Sequence, residues 1–387
     1  MPGPSLDLYD LTILPEHDEF LVGRPETDDF VVLPADGVAL LRRLQDGEEP
    51  AAAADWYRLT YGESVDIDDF VDTLRELGFV RTGGETEAVR AEVPLRRLGR
   101  WAFSPLAWIL YAAVVAAAVA SVVAQPRLLP RPESVFFSDS LVLVQVVLAI
   151  GQLPGIFLHE SLHVLAGRRL GLPTRLGVGR RLVYFVFETT LVGLHGVPRR
   201  QRYLPFLAGM VGDLLFTSVL TLIAAADSSW VGRLALALAY STLLRLAWQF
   251  YLFLRTDLYF VFVTALECTD LHGATRALLR NRFSRLLGRT AAPVDESQWT
   301  ERDRATARWY APFMLAGYVC VIAVTLFGVI PVFTVFAQRL IGRMGHGLVI
   351  DGAFWDAAVS LALVLLQIGL LITVSIRDRR RRALVPA

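Results

Sequence analysis

The stretch Leu158-His159-Glu160-Ser161-Leu162-His163-Val164-Leu165-Ala166-Gly167 sets three groups capable of metal and proton chemistry inside an apolar run. Its two histidines are four positions apart, so on a helix both imidazoles leave one face, a single turn apart, and can bind one ion. Glu160, beside the first histidine, can reach a water on that ion instead of the ion itself. Two His ligands, a carboxylate base and an ion that lowers the pKa of its water to ~7 make the zinc-hydrolase arrangement. The competing reading, in which the three groups merely hydrogen-bond to neighbouring helices, asks for a costly accident of intramembrane polar residues. Pro154-Gly155 just before the motif predicts a broken or kinked helix, covered at that depth by protein or by a water-filled cavity.

Two histidines leave a third protein ligand to be found. Asp257, in Leu254-Arg255-Thr256-Asp257-Leu258-Tyr259-Phe260, is preferred because it follows the inner end of a later apolar span. Asp213, in Ala208-Gly209-Met210-Val211-Gly212-Asp213, is the rival, in the first half of another span on the same side. Asp270, His272, His195 and Glu188 fall in polar connections and read as solvated residues.

The elements that must position these groups are membrane helices. The chain has 387 residues, is 54% hydrophobic and has a mean hydropathy of +0.46 although 20% of it is charged, so charged and apolar residues are sorted into separate stretches. That excludes an ordinary single-domain soluble protein. Crossing a bilayer takes ~20 apolar residues, and six stretches qualify: 104–124, 141–165, 203–226, 230–254, 310–336 and 353–376. Arginines crowd the connections 168–202 and 255–308 and the tail from Arg377 to Arg382, which places those segments in the cytoplasm, while 125–139, 227–229 and 338–352 face outward. Both termini are then cytoplasmic. The Met-Pro-Gly-Pro start, followed by acids, has neither the basic nor the apolar region of a signal peptide. All 38 basic residues are Arg, a bias of genome composition such as a GC-rich bacterium has. Cys268 and Cys320 make neither a disulfide framework nor a cysteine metal site.

With these residues in view, the stretch from Leu141 to Phe260 resembles the intramembrane zinc metalloproteases of the site-2 protease type. The resemblance rests on the intramembrane His159-Glu160-Ser161-Leu162-His163, on Ala208-Gly209 opening the next span, and on an Asp at the inner end of a later span. It implies zinc held by His159, His163 and Asp257, with Glu160 as catalytic base. The family sets an Asn eight residues before the Asp in a run ending Leu-Asp-Gly; here Gln249 stands in that place, which implies a substrate-binding role, and Leu258 replaces the Gly. Residues 176–197 are rich in β-branched and aromatic residues punctuated by Gly, which is strand composition. A hairpin there is similar to the re-entrant β element of that family. It would offer an edge to an extended substrate, since a peptide bond inside a membrane helix must be unwound before it can be cut.

The net zero charge conceals two opposed parts. Residues 1–92 carry 22 Asp and Glu against 7 Arg, leaving 16 acids against 31 Arg for the rest. Short strands are predicted at 13–15, 19–22 and 30–33, helices at 35–44, 51–61 and 67–76, the last capped by Asp66, then an extended return at Gly78-Phe79-Val80. Phe30-Val31-Val32-Leu33-Pro34, Gly37-Val38-Ala39-Leu40-Leu41 and the run from Asp68 to Phe79 resemble the small winged-helix domains of the PqqD type, which recognise leaders of ribosomally made, modified peptides. Winged helices more often bind DNA, but an acidic surface excludes a phosphate backbone and suits a peptide or protein. A further helical stretch is predicted at the start of 276–308.

The expected molecule is therefore a polytopic α-helical protein of the cell membrane, with about six transmembrane helices and a re-entrant β-hairpin, joined to an N-terminal α+β winged-helix-like soluble domain. Its parts are a PqqD-like domain at 1–90, a linker at 91–103 and a transmembrane metalloprotease domain at 104–387. The expected activity is zinc endopeptidase action on a peptide or transmembrane substrate that the N-terminal domain recruits or gates, with no nucleic-acid partner. The alternative is a non-hydrolytic scaffold, immunity or export partner of a modified-peptide pathway. Glu160 discriminates between them, because a structural metal site has no use for a general base.

Overall fold

The computed structural model describes residues 6–16, 19–24, 27, 29–81, 93–181, 184–268, 270–288, 293–344 and 351–383. The chain divides into two compact units. The first comprises Met1–Ala102, Val164–Arg175 and Thr189–Tyr203, and the second Phe103–His163, Leu176–Glu188 and Leu204–Ala387.

The first unit begins with an antiparallel sheet of β1 (Thr12–Glu16), β2 (Glu19–Arg24) and β3 (Asp29–Pro34), in that order, so that β1 and β3 are its edges. Its register pairs Leu14 with Leu21 and Val22 with Val31. Three helices follow: α1 (Ala35–Gln45), α2 (Pro50–Tyr61) and α3 (Ile67–Glu76). Val38, Leu41 and Leu44 recur at helical spacing on α1 and meet Val22, Leu74 and Phe79 in one core. Each such side chain contributes roughly 1.5–3 kcal/mol by leaving water. Asp66 caps α3 by accepting from the Asp69 amide at 3.1 Å. Gly78, at φ +66°, turns the chain out of α3 into the extended Phe79-Val80, where Val80 pairs with Leu8. The Tyr57 hydroxyl donates to the Asp36 carboxylate, which ties α2 to α1. These elements lie where the sequence pattern puts them.

Two further contacts are made within the same unit. Helix α4 (Arg96–Ala102) lies against the chain that follows His163 so closely that a side chain at Gly99 would overlap the Leu165 carbonyl. The Phe30 ring meets the His195 ring edge-on at 6.4 Å.

The second unit is helical. Its helices are α5 (Pro105–Ala124), α6 (Leu141–Gly151), α7 (Leu153–Arg169), α8 (Arg199–Ala226), α9 (Trp230–Trp248), α10 (Asp257–Leu266), α11 (Leu271–Leu286), α12 (Glu301–Ala323), α13 (Ile330–Met344) and α14 (Gly352–Ala383), and α7 and α8 have residues in both units. A two-stranded sheet, β4 (Thr174–Arg181) with β5 (Tyr184–Leu191), stands at the predicted hairpin; Leu182 and Val183 lie outside the described residues. The predicted break before the motif falls at Gln152, which leaves Pro154 in the first turn of α7, where its missing N–H costs no helical hydrogen bond.

Among the described residues, five helical stretches are long and apolar enough to cross a membrane: Pro105–Ala124, Leu141–Arg169, Arg199–Ala226, Glu301–Met344 and Gly352–Arg377. Phe157, Trp309, Phe313 and Phe327 stand exposed on them, as expected of side chains facing lipid. The stretch 230–254, the fourth of the six anticipated from hydropathy, is not among the five. Its helix α9 is long enough, with 19 residues, but Arg233 and Arg245 lower its hydropathy. Helix α12 runs into α13 through a π-helical turn, Val324–Val329, where the Tyr240 hydroxyl donates to the Gly328 carbonyl at 2.8 Å. At the opposite end of the chain, Asp356 of α14 caps α6, accepting from the Leu141 and Val142 amides at 2.7 and 3.3 Å and from Ser140 Oγ at 2.5 Å. Arg343 holds the same carboxylate at 2.6 Å.

Candidate metal centre

Helix α7 carries His159, Glu160 and His163, all three buried. The imidazoles leave one face with ring centroids 4.8 Å apart. Each is oriented from behind. His159 Nδ1 lies 3.1 Å from Asp213 Oδ2, and His163 Nδ1 lies 2.6 Å from the Pro205 carbonyl. Both partners are acceptors, so both Nδ1 atoms carry the proton and both Nε2 atoms present lone pairs. Those two Nε2 atoms face each other at 3.1 Å.

Asp257 completes the triangle. Its Oδ2 lies 3.3 Å from His159 Nε2 and 3.3 Å from His163 Nε2, buried and, among the described residues, without a hydrogen-bond donor. The chain reaches this position by a tight turn after α9, with Arg255 in the left-handed region at φ 54°. Gln249 then holds the turn from eight residues back: its carbonyl accepts from Thr256 Oγ1 at 2.7 Å and its side-chain Oε1 from the Asp257 amide at 3.2 Å. From the other side α12 approaches so closely that a Cβ on Gly317 would stand 3.0 Å from the Phe250 carbonyl.

Three electron pairs converging on one point repel each other unless a cation sits between them. His159, His163 and Asp257 are the group of side chains, among the described residues, that could hold a metal ion, with all ligand atoms within 4.8 Å of one another. Helix α8 makes room for it. An added Cβ on Gly209 would come to 2.5 Å from His159 Cε1 and overlap the Nε2 atoms of both histidines, so only glycine leaves that space empty.

Comparison with family models, curated proteins and solved structures gives no match for this chain. The site therefore speaks through its own geometry.

Of the residues singled out by spacing, His159, His163 and Asp257 come together with Glu160 one residue along α7, and Gln249 stands behind Asp257. Asp213, the rival ligand, is fully buried but on the far side of His159, against Nδ1. Asp270 caps α11, accepting from the Gly273 amide and from Trp299 Nε1 at 3.1 Å each. The His272 amide donates to the Tyr259 hydroxyl at 3.3 Å, and His195 packs on Phe30. The side chain of Glu188 lies outside the described residues. Gly209 entered the sequence reading only as part of the small-residue opening of a span, and Arg245 did not enter it. Arg245 had a signal, since a cation inside an apolar helix calls for a buried acid, and Asp213 on the preceding span is that acid.

Proposed function

We propose that the chain is an intramembrane zinc endopeptidase of the site-2 protease type, hydrolysing a peptide bond of a membrane-associated or peptide substrate. The observation that carries this reading is the convergence of His159 Nε2, His163 Nε2 and the unpartnered Asp257 Oδ2, 3.1 to 3.3 Å apart, beside Glu160. Donors at ~2.0–2.1 Å around a tetrahedral ion stand roughly 3.3 Å from one another, and two imidazoles with one carboxylate are a donor set of catalytic zinc. Zinc bound there supplies a Lewis acid and a water acidic enough to attack near neutral pH.

The protein's own groups account for the rest. His159 and His163 are held in the ligating tautomer by Asp213 and the Pro205 carbonyl. Asp257 brings the negative charge that a divalent cation needs at low dielectric. Glu160 takes the proton from the attacking water and delivers it to the leaving amide nitrogen. Gln249 uses its Oε1 on Asp257, so its side-chain NH2 is the group left to hold a substrate carbonyl. The β4–β5 pair supplies an edge on which an unwound substrate satisfies its backbone.

The acidic N-terminal domain, PqqD-like in its three strands and three helices, recruits or gates the substrate. Its β3 strand lies at a sheet edge, and its acid excess favours a basic peptide over nucleic acid. In the cell membrane both termini are cytoplasmic, with α9 as a sixth crossing whose Arg245 is neutralised by Asp213. Reporter fusions after Asp139, Ser229 and Gly352 then read outside, and those after Arg200, Arg289 and Ala387 inside.

The decisive experiment pairs zinc analysis of purified protein with cleavage of single-span fusion proteins and of candidate precursor peptides by wild type and by Glu160→Gln. Glu160→Gln is expected to keep its zinc and lose cleavage by about 10²–10⁴-fold. Wild-type protein that binds zinc and cuts nothing that Glu160→Gln leaves intact would favour the scaffold, immunity or export reading instead.

A further inference from the structure

Behind His159 a polar chain crosses three helices in surroundings otherwise apolar. Asp213 of α8 is fully buried, and its two carboxylate oxygens are used differently. Oδ2 takes His159 Nδ1 at 3.1 Å, while Oδ1 receives Arg245 Nε at 3.1 Å and Arg245 Nη2 at 2.6 Å from α9. The guanidinium's third contact is Gln152 Oε1, at 3.1 Å from Nη1. Gln152 also accepts from Thr242 Oγ1 at 3.4 Å and donates Nε2 to the Leu238 carbonyl at 3.0 Å. Since Gln152 is the residue joining α6 to α7, the chain Gln152–Arg245–Asp213–His159 starts just before the helix that carries the two histidines and ends on it.

We propose that Asp213 and Arg245 are positioning residues for His159, fixing its tautomer and ring orientation so that Nε2 is offered to a metal ion. This rests on the metal-centre reading above and goes beyond it, because neither residue touches the ion. A lone carboxylate in this interior would be costly, and a lone arginine equally so; together they are neutral. The pair therefore adds no net charge to the centre, and what remains is orientation. Arg245 grips one oxygen from two sides, which leaves the other aimed at Nδ1–H and unable to swing round to the ligand side. The same geometry separates the two acids: Asp257 meets the histidines on the Nε2 side, and Asp213 meets His159 on the Nδ1 side.

The test uses the full chain, with zinc affinity measured by chelator competition and Co2+ uptake read from the visible absorption that reports ligand geometry. Asp213→Asn keeps the shape but turns an NH2 toward Nδ1 when its oxygen stays with Arg245, which moves the imidazole proton onto Nε2. Zinc affinity is expected to fall by about 10–100-fold, the usual range for losing the outer partner of a ligating histidine, and the cobalt spectrum to change shape. Arg245→Gln, which leaves Asp213 in place but frees its carboxylate, should fall in the same direction and decides the matter should Asp213→Asn not fold. Arg245→Lys, restoring the cation, should recover part of the loss. Wild-type affinity and spectrum in both Asp213→Asn and Arg245→Gln would overturn this assignment alone. So would an Asp213→Asn protein that binds no metal beside an Asp257→Ala protein that binds it fully, since Asp213 would then be the ligand. Wild-type protein that takes up neither Zn2+ nor Co2+ overturns the metal-centre reading, and this assignment with it.

Discussion

Gly209→Ala puts one methyl group where the ion is expected. The added carbon would stand 2.5 Å from His159 Cε1 and closer still to both Nε2 atoms. Ordinary contact between such atoms begins near ~3.5 Å, so α7 and α8 must separate by about 1 Å. Ligand distances in a working site hold to about 0.2 Å, so a displacement of that size removes the site instead of weakening it slightly. Zinc affinity is expected to drop by more than about 100-fold, and any cleavage with it. Global stability should not fall in parallel, because Ala in a helix interior is favoured over Gly by roughly 0.5–1 kcal/mol, which offsets part of the crowding. Gly342→Ala on α13 is the matched control, since none of the described residues lies within 4 Å of its added carbon. The assay is zinc per chain after gel filtration at graded chelator concentrations. Gly209→Ala protein with zinc affinity within a few-fold of wild type would refute the reasoning, because the space beside Gly209 would then not be where a cation sits.

Other substitutions probe the supports of the site and of the N-terminal domain. Gln249→Ala removes the acceptor on the Asp257 amide and should lower zinc affinity about 10-fold while leaving one zinc per chain, measured by the same chelator competition. Tyr57→Phe removes the α1–α2 hydrogen bond and should cost roughly 1 kcal/mol, lowering the thermal transition of the N-terminal domain within the full chain by about 5 °C. That difference depends on pH at both ends. The Tyr57 bond holds the Asp36 carboxyl below its usual 3.8, so the contribution is lost as pH falls through that lowered value. The same bond pushes the Tyr57 hydroxyl up to about 12, so the contribution is full below 10 and lost as pH rises through about 12. Melting curves from pH 3 to 11 should therefore show the largest gap between wild type and variant near neutrality; an equal gap at every pH would sink the assignment.

The N-terminal domain was legible because its signals are local. The boundaries of α3 follow from Asp66 and Gly78, one a cap and the other a left-handed exit, and the strands follow from apolar runs between charged turns. The membrane helices were legible from composition, except where charge is cancelled across helices. Arg233 and Arg245 lower the apolarity of α9, and the acid that answers Arg245 is 32 residues away on α8. The spacing of His159 and His163 announces a shared helix face. What spacing does not contain is the rotation of α8 against α7, set by the close approach of Gly209 and Gly212 to His159. That rotation turns Asp213 to the back of the imidazole, and two acids at similar depth in the sequence cannot be told apart without it. The turn that carries Asp257 is likewise held by contacts eight residues apart, through Gln249, and not by a local turn signature.

The cap on α6 has a consequence for the order in which the chain is built. The donors at the start of α6 are satisfied by Asp356, 215 residues further along. A ribosome delivers residues in sequence, so while α6 and α7 are first threaded into the bilayer those amides have no carboxylate to meet. The α6–α7 pair thus gains this anchor only when α14 arrives, and a chain halted before Gly352 would hold His159 and His163 on a helix pair whose far end is still unsealed.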